Sequence, residues 1–298
     1  MVGNPLIFIT FFLLALVVTP LSIAVSRQFG IIDEPGGRKT HNKSTPRGAG
    51  VVIWLGYMLF SLFFPDSGNG LRLISTAATV IFIFGYMDDM RPLPATWRLC
   101  VHGLCSAVVV AFLPVTPVFK LILFLWITGS TSAYNLIDGI NGLSLILFAL
   151  TVILGLFLFG QYWWAALLGL AAGVLPWNYP VARTFLGDGG STLIGFICMS
   201  QFSSELASYS TEMSIAGFLF VLLLIGGVPV IDTLYSIFRR LLAGVSPFLP
   251  DRGHFHHILC DRGFPVVVVL LVLGILHSFL LLGAAVILGH PLPFHGVM

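Results

Sequence analysis

Ten long apolar runs, separated by short polar connections, restrict what this sequence can fold into. A helix needs roughly 20 mostly apolar residues to cross a bilayer. Only 9% of the 298 residues are charged, whereas soluble globular domains carry about 25%. The sequence therefore predicts an all-α integral membrane protein of about ten transmembrane helices, with residues 1–298 forming one polytopic domain. The runs cover residues 5–25, 48–65, 71–87, 97–113, 119–134, 143–160, 162–177, 192–207, 214–237 and 264–288.

The basic residues fall almost entirely on one set of connections. If all ten runs span the membrane, the connections after the first, third, fifth, seventh and ninth runs share one face. The opposite face keeps only Arg72 and Lys120. The positive-inside rule then makes the basic face cytoplasmic and directs both termini outward. The basic face holds Arg27, Arg38, Lys39, Lys43, Arg47, Arg91, Arg98, Arg183, Arg239, Arg240, Arg252 and Arg262.

The side chains suited to catalysis follow the same pattern. The outer connections are short and carry few charged side chains. The connection at 208–213, for example, has Glu212 as its one charged residue. Such segregation predicts a single active site at the cytoplasmic surface of the membrane. The acids, amides and imidazoles in or beside the cytoplasmic connections are Asp33, Asp88, Asp89, Asn135, Asp138, Asp188, Asp251, His254, His256 and His257.

The stretch from Phe185 to Thr192 is rich in glycine and holds one carboxylate, Asp188. Glycines allow a tight turn with exposed N–H groups, and a helix starting here would direct its positive dipole end at the turn. Such a place suits a phosphate, and Asp188 adds a hard oxygen ligand for Mg²⁺. The alternative is a tight loop between two membrane helices with Asp188 as the N-cap.

Two further connections carry acids near apolar runs. Asp88 and Asp89 end the third run, where adjacent carboxylates repel each other unless a cation or proton relieves them. The pair can bind Mg²⁺ or supply a general base, or it can be a solvated helix end. Asn135 and Asp138 would share a helix face and could contact a sugar, a ribose or a metal. A turn-forming cluster explains their composition equally well.

The first and last cytoplasmic connections supply candidate phosphate-binding groups. Arg38 and Lys39 could bind a diphosphate, although topology-setting charge is the simpler interpretation. His254, His256 and His257 follow Arg252 and could ligate zinc or contact a phosphate. We favour phosphate contact because a structural zinc site would need regularly spaced cysteines.

Other polar residues are expected to serve packing. His102 and His277 lie within apolar runs and are expected to be satisfied core histidines. None of the four cysteines shows metal-ligand or redox spacing, so they are interpreted as packing thiols. The Val174–Leu175–Pro176 region is a candidate site for a helix kink.

Five ordered motifs together resemble one known family. They occupy residues 33–50, Asp88-Asp89, residues 135–143, residues 185–195 and residues 246–257. This set is similar to the polyprenyl-phosphate N-acetylhexosamine-1-phosphate transferases (glycosyltransferase family 4), which include the MraY and WecA types. The form Ser-Pro-Phe…Asp-Arg-x-His-x-His-His, from Ser246 to His257, resembles the WecA branch.

The resemblance implies a reaction and its partners. The family moves a sugar 1-phosphate from a UDP-N-acetylhexosamine to undecaprenyl phosphate, releases UMP, and uses Mg²⁺ or Mn²⁺. It implies a bacterial inner-membrane enzyme that starts O-antigen or other envelope polysaccharide, with no nucleic-acid partner and with a homodimer left open. The sequence alone does not choose the donor sugar.

The resemblance also implies roles for individual residues. Asp188 matches the metal-binding aspartate, with Asp88 as a second candidate ligand. Asp88 matches the proposed base, with Asp89 beside it, and Phe185 matches the aromatic that stacks on uracil. The remaining implied site residues, which contact nucleotide or phosphate, are Asn135, Asp138, Arg38, Lys39, Arg252, His254, His256 and His257. Asn141 stands where the family often has an aspartate.

A transporter of an anionic or lipid-linked solute is the alternative from another class. Transport sites place charges near the membrane midplane on broken helices. The middle of the predicted spans is nearly free of charge, and Glu205 comes late in the eighth. The pattern therefore favours an enzyme with its site at the membrane surface.

Overall fold

A computed structural model describes residues 3–34, 43–64, 69–247 and 251–289. These residues form α-helices with one small antiparallel pair of strands, β1 (Ile32–Asp33) and β2 (Thr45–Pro46). Arg38 and Lys39 lie outside the described residues. The helices are α1 (Gly3–Gln28), α2 (Ala49–Phe63), α3 (Asn69–Met90), α4 (Ala95–Ala111), α5 (Pro117–Ile137), α6 (Leu143–Phe159), α7 (Tyr162–Asn178), α8 (Gly187–Leu206), α9 (Ile215–Leu242), α10 (Phe255–Asp261) and α11 (Val266–Gly289).

Each predicted apolar run coincides with one long helix. Among the described residues, four helices are long and apolar enough to cross a membrane, over Asn4–Gln28, Gly70–Met90, Ile215–Leu242 and Val266–Gly289. Ala49–Phe63, Ala95–Ala111 and Leu143–Phe159 are shorter apolar helices. The structure therefore confirms a nearly all-α chain with membrane-spanning helices. The short helix α10 was not predicted.

Helix α8 forms the centre of the bundle. Most of its residues are buried, on every side of the helix, although several of them are polar. The amide of Gln201 donates to the hydroxyl of Tyr57 at 2.7 Å, whereas the buried hydroxyl of Ser200 has no partner within the described residues. The peripheral helices α1 and α11 instead expose large apolar side chains such as Val17 and Phe279. An extensive exposed apolar surface of this kind is suited to contact with lipid.

Helix α9 is broken near its middle, at Gly227, which has φ +55° and ψ −143°. The backbone N–H of Val228 donates to Nδ1 of the buried His277 at 3.2 Å. Nε2 of His277 must then carry the proton and lies 3.1 Å from the Leu147 carbonyl. His277 is therefore a satisfied core histidine, as predicted. The kink was expected at residues 174–176, but these residues continue α7, and Pro176 lies two residues before its end. The break in the structure is instead at Gly227 of α9.

Substituting Gly227 with alanine should destabilise the fold. A Cβ at this position would collide with the His277 ring, and a left-handed backbone adds about 1–2 kcal/mol of strain for an L-residue. Thermal unfolding of the purified protein should show a clear fall in Tm for Gly227→Ala. Gly274→Ala in α11 is the control, because its Cβ would meet only Leu150 at 4.0 Å. An equal Tm for both variants would contradict this account.

Candidate active site

The connections that carry the predicted site residues meet at one end of the bundle. The backbone N–H of Gly48 donates to the hydroxyl of Thr184 at 3.1 Å. That of Gly142 donates to the side chain of Asn178 at 2.8 Å. The Phe185 N–H reaches the Pro46 carbonyl at 2.8 Å. These bonds join the α1–α2, α5–α6 and α7–α8 connections to one another and fix the relative positions of their described residues.

The side chain of Asp89, which belongs to α3, caps the first turn of α8 from a neighbouring helix. Its carboxylate accepts the backbone N–H groups of Asp188 at 2.9 Å and Gly189 at 3.1 Å. The side chain is only 1% exposed. A carboxylate at this place accepts hydrogen bonds from N–H groups that have no partner within the helix, and its negative charge interacts favourably with the positive end of the helix dipole. The two N–H groups expected to cradle a phosphate are therefore already occupied.

The glycines of this stretch serve helix packing. A Cβ on Gly85 of α3 would lie 2.6 Å from the Cα of Gly189. A Cβ on Gly50 of α2 would lie equally close to the Cα of Gly190. The glycines let α2 and α3 approach α8 backbone to backbone. The prediction of a helix that starts in this stretch is confirmed, whereas the prediction of exposed N–H groups is wrong for Asp188 and Gly189. The alternative of Asp188 as the N-cap residue is also wrong, because that position is Leu186.

Arg47 joins the first connection to this cap. Its guanidinium pairs with Asp89 at 2.8 Å and also with Asp33. Burial alone would lower the pKa of Arg47, but the carboxylates of Asp89 and Asp33 outweigh it and raise that pKa above its usual value. Arg47 thus balances two buried acids and anchors strands β1 and β2 to the start of α8.

Asp188, Asn135, Arg98 and Asp88 form a connected polar cluster. One Asp188 oxygen accepts the Asn135 amide at 2.9 Å, and the other lies 3.5 Å from Arg98. Arg98 also pairs with Asp88 at 2.9 Å. The Asp188 side chain is 35% exposed, whereas that of Asp88 is 4% exposed. The structure thus brings Asp188, Asn135 and Asp88 together, with Asp188 as the accessible acid.

Asp88 is enclosed by its partners. Its second oxygen accepts the backbone N–H of Leu93 at 2.5 Å, so both oxygens are engaged. Each oxygen keeps a second lone pair, but the pairing with Arg98 reduces the negative charge that Asp88 can offer to a metal or a proton. The geometry therefore favours Asp188 over Asp88 as a metal ligand.

Asp138 lies at the C-cap of α5, within the electrostatic reach of two other acids. Within the described part of the chain, its carboxylate accepts no hydrogen bond. Burial, together with the negative charges of Asp188 and Asp89, raises the pKa of Asp138 to about 8. A divalent cation would relieve this concentration of negative charge.

The raised pKa of Asp138 predicts a pH-dependent stability. An unfolded aspartate has a pKa near 3.9, so only the folded chain retains this proton between about pH 4 and 8. The stabilisation is therefore lost as the pH rises through about 8. In metal-free buffer, the Tm should fall from pH 5 to pH 9, and the fall should be smaller for Asp138→Asn. Asp261→Asn, at an exposed carboxylate, should leave the slope unchanged. Equal slopes in all three proteins would contradict this assignment.

The histidines lie on the short helix α10 and its N-cap, against the Asp138 connection. A Cβ on Gly139 would collide with the His256 ring, which packs directly on that glycine. His256 is fully buried, and neither ring nitrogen has a partner within the described residues. Burial lowers the pKa of His256 to about 2, and the positive charges of His257, His254 and Arg252 contribute. His256 is therefore a neutral imidazole beside Asp138.

Ion pairs hold the loop that leads to α10. The Asp251 carboxylate accepts hydrogen bonds from Arg239 at 2.7 Å and from Arg240 at 2.8 Å. The bond from Arg240, with the other donors, lowers the pKa of Asp251 below its usual value. Arg252 pairs with Asp261 at the surface, 2.7 Å away. These contacts fix the loop against the end of α9, and Arg252 remains 39% exposed.

The donor set fits magnesium or manganese better than zinc. Within the described residues, no group of three or more His, Cys, Asp or Glu side chains is placed to hold an ion, so there is no zinc centre among them. Mg²⁺ usually takes one or two carboxylates plus substrate phosphates. Asp188, whose side chain is 35% exposed, is an accessible carboxylate of this kind, and the charge of Asp188 influences Asp138.

Three residues of the site were not predicted as site residues. Arg98 and Arg47 were counted only as topology-setting charges, but they bridge the acids of separate elements. Asp232 was overlooked inside the ninth apolar run, where it is fully buried against His254. A lone acid inside an apolar run is itself a signal of function, and it would have identified Asp232.

A helical chain with candidate membrane-spanning helices, whose acids, amides and imidazoles gather at one end of the bundle, has the features expected of an enzyme at a membrane surface. A sequence profile described as glycosyl transferase family 4 matches residues 71–203. A probable undecaprenyl-phosphate N-acetylglucosaminyl 1-phosphate transferase of Bacillus subtilis (strain 168) is 30% identical over 302 residues, 91% of this chain and 82% of the relative. The chain therefore belongs to glycosyl transferase family 4, and the resemblance seen in the five motifs is confirmed.

Two further relatives carry related names. The undecaprenyl-phosphate alpha-N-acetylglucosaminyl 1-phosphate transferase of Thermotoga maritima is 29% identical over 265 residues, 85% of this chain and 79% of the relative. The protein of the same name from Escherichia coli (strain K12) is 26% identical over 277 residues, 80% and 72% respectively. All three relatives are named as transferases, which favours the enzyme prediction over the transporter alternative.

Proposed function

We propose that this chain transfers N-acetylhexosamine 1-phosphate, with N-acetylglucosamine as the first candidate sugar, from its UDP derivative to undecaprenyl phosphate. UMP is the second product, and the lipid-linked sugar starts O-antigen or another envelope polysaccharide. The names of the relatives support the substrates. The observation that carries the proposal is the cluster of Asp188, Asn135, Arg98 and Asp88, which gathers acids and a cation from four helices at one end of the bundle.

The site is proposed to face the cytoplasm of a bacterial inner membrane, with ten helices crossing the bilayer. Twelve of the fourteen basic residues belong to the connections on the side of this cluster, and Arg72 and Lys120 belong to the other side. A site at this boundary can receive a prenyl tail from the lipid and a nucleotide from water. That arrangement suits a reaction between one membrane-bound and one soluble substrate.

Mg²⁺ or Mn²⁺ is proposed as the cofactor. Asp188 and Asp138 would hold the ion together with phosphate oxygens of the substrate. When bound, the ion supplies positive charge that offsets two anionic reactants and the leaving group. Arg98, which already contacts Asp188 and Asp88, adds charge from the protein. Phe185 is half-buried at the start of α8 and stays our proposed contact for uracil.

The proposed chemistry is a direct displacement. An oxygen of undecaprenyl phosphate attacks the β-phosphorus of the UDP-sugar, and the bond from that phosphorus to the bridging oxygen breaks. The bridging oxygen and its electron pair leave with UMP, and a new lipid diphosphate bond forms. Positioning and charge stabilisation supply most of such a rate. A two-step route through a phosphorylated Asp88 is the alternative, and the enclosure of both Asp88 oxygens favours the direct route.

Product release from the purified protein tests this function. The protein in detergent is mixed with undecaprenyl phosphate and a panel of UDP-sugars, with MgCl₂ or with EDTA. We expect UMP and a lipid-linked sugar to form in equal amounts only when lipid, UDP-sugar and metal are all present. UMP release that does not need the lipid acceptor, or no release from any UDP-N-acetylhexosamine, would contradict the proposal.

A further inference from the structure

Asp232 is a buried carboxylate that the proposed mechanism does not use. It lies on α9 after the break at Gly227 and has no exposed surface. One oxygen is 2.7 Å from Nδ1 of His254, and the other accepts the backbone N–H of Phe255 at 2.7 Å. The hydroxyl of Ser236 lies 3.4 Å from the same Nδ1. A carboxylate buried in this way persists only when its oxygens are hydrogen-bonded, and here both are.

These contacts determine the protonation of the His254 ring. An ionised carboxylate can only accept hydrogen bonds, so Nδ1 of His254 must carry a proton. Nε2 is then the one ring nitrogen left for a ligand. Within the described residues, His254 alone among the three histidines of this segment has a hydrogen-bonded carboxylate. The neighbouring His256 ring, stacked 6.0 Å away, has no partner on either nitrogen in the part of the chain that the structure describes.

We propose that Asp232 is a positioning residue that keeps the proton of His254 on Nδ1 and directs Nε2 to a phosphate of the substrate. This inference rests on the proposed transfer reaction and deepens it. By accepting the Phe255 N–H as well, Asp232 also fixes where α10 begins relative to α9. When His254 binds an anion and takes up a second proton, Asp232 supplies the buried counter-charge. His254 can then donate from Nε2 without leaving a positive charge unpaired in the bundle.

The substitution Asp232→Asn separates this role from simple packing. Asparagine has nearly the same shape, and its oxygen can still accept the Phe255 N–H. Its NH₂ group then faces His254, so the ring proton moves to Nε2 and the buried counter-charge for a second ring proton is lost. The ring can then donate one neutral hydrogen bond to a phosphate but can no longer bring a positive charge to it. We expect kcat to fall about 100-fold, the scale seen when a carboxylate behind a functional histidine is replaced, while KM for the UDP-sugar stays within about threefold. Glu205→Gln, at a carboxylate near the far end of α8, should leave both constants unchanged.

A double variant tests whether Asp232 acts through His254. If it does, adding Asp232→Asn to His254→Gln should lower kcat no further than His254→Gln alone. A fall of the same factor in both backgrounds would overturn the proposal. Turnover of Asp232→Asn equal to that of an active wild-type preparation would also overturn the proposal. If the wild-type protein itself shows no transfer, the proposed function fails, and the tautomer of His254 can still be measured.

The nitrogen-15 NMR signals of the histidine rings give a readout that does not depend on activity. With ¹⁵N-labelled histidine, the His254 signals are those missing from His254→Gln. We expect a protonated Nδ1 in the wild-type protein and a protonated Nε2 with bare Nδ1 in Asp232→Asn. A bare Nδ1 in the wild-type protein would overturn the proposal. Because this result needs only the wild-type protein and the His254→Gln variant, it decides the question even if Asp232→Asn does not fold.

Discussion

Replacing Asp188 with alanine should lower turnover about 1,000-fold and leave the fold intact. Removing one preorganised group that stabilises transition-state charge costs 10²- to 10³-fold, and Asp188 is also the accessible acid for the proposed ion. Its side chain is 35% exposed and bonded mainly to Asn135, so its loss should lower the Tm little. Turnover is measured as lipid-dependent UMP release.

Glu205→Ala is the matched control for this prediction. Glu205 is the other acid of α8, and it lies in the wall of a cavity of about 860 Å³ at the opposite end of the bundle. Its substitution should leave turnover within a factor of two or three of the wild type. Full activity in Asp188→Ala would remove Asp188 from the proposed metal site.

Replacing Asp89 with alanine should destabilise the protein by about 3–5 kcal/mol, the range seen when one partner of a buried ion pair is removed. The loss would leave the N–H groups of Asp188 and Gly189 without their acceptor and Arg47 without one of its two acids. Chemical or thermal unfolding in detergent measures this effect. Activity should fall as well, because the start of α8 would be displaced.

The exposed pair of Arg252 and Asp261 provides the control for Asp89. Asp261 is 52% exposed, so Asp261→Ala should change stability by no more than about 1 kcal/mol. The informative contrary result is an Asp89→Ala protein with wild-type stability but no turnover. That outcome would make Asp89 a participant in the chemistry instead of the cap of α8.

The helices were predictable because a membrane helix needs a long apolar run, and each run here is bounded by polar or turn-forming residues. Helix α3 was expected over 71–87 and covers Asn69–Met90, for example. The break at Gly227 was not predicted, although Pro229 two residues later is a signal for it, because proline lacks an N–H and its ring clashes with the carbonyl of the preceding turn. His277, fifty residues after Gly227, accepts the Val228 N–H that the break releases.

The site was predictable in its location and not in its contacts. Charge segregation alone placed Asp88, Asn135, Asp138 and Asp188 on one side, and the structure brings them to one end of the bundle. Which donor meets which acid depends on how the helices cross. The glycines of α8 illustrate this limit, since the same residues suit a phosphate-binding turn and a close helix contact.

We expect the connections after α1, α3, α5, α7 and α9 to form one site on the cytoplasmic face. Single cysteines, introduced into a cysteine-free variant at Arg91, Arg183, Gln161 and Glu212, test it by labelling with a membrane-impermeant maleimide. In intact spheroplasts, positions 161 and 212 should react, whereas 91 and 183 should react only after the membrane is permeabilised. Labelling of 91 or 183 from the outside would contradict the account.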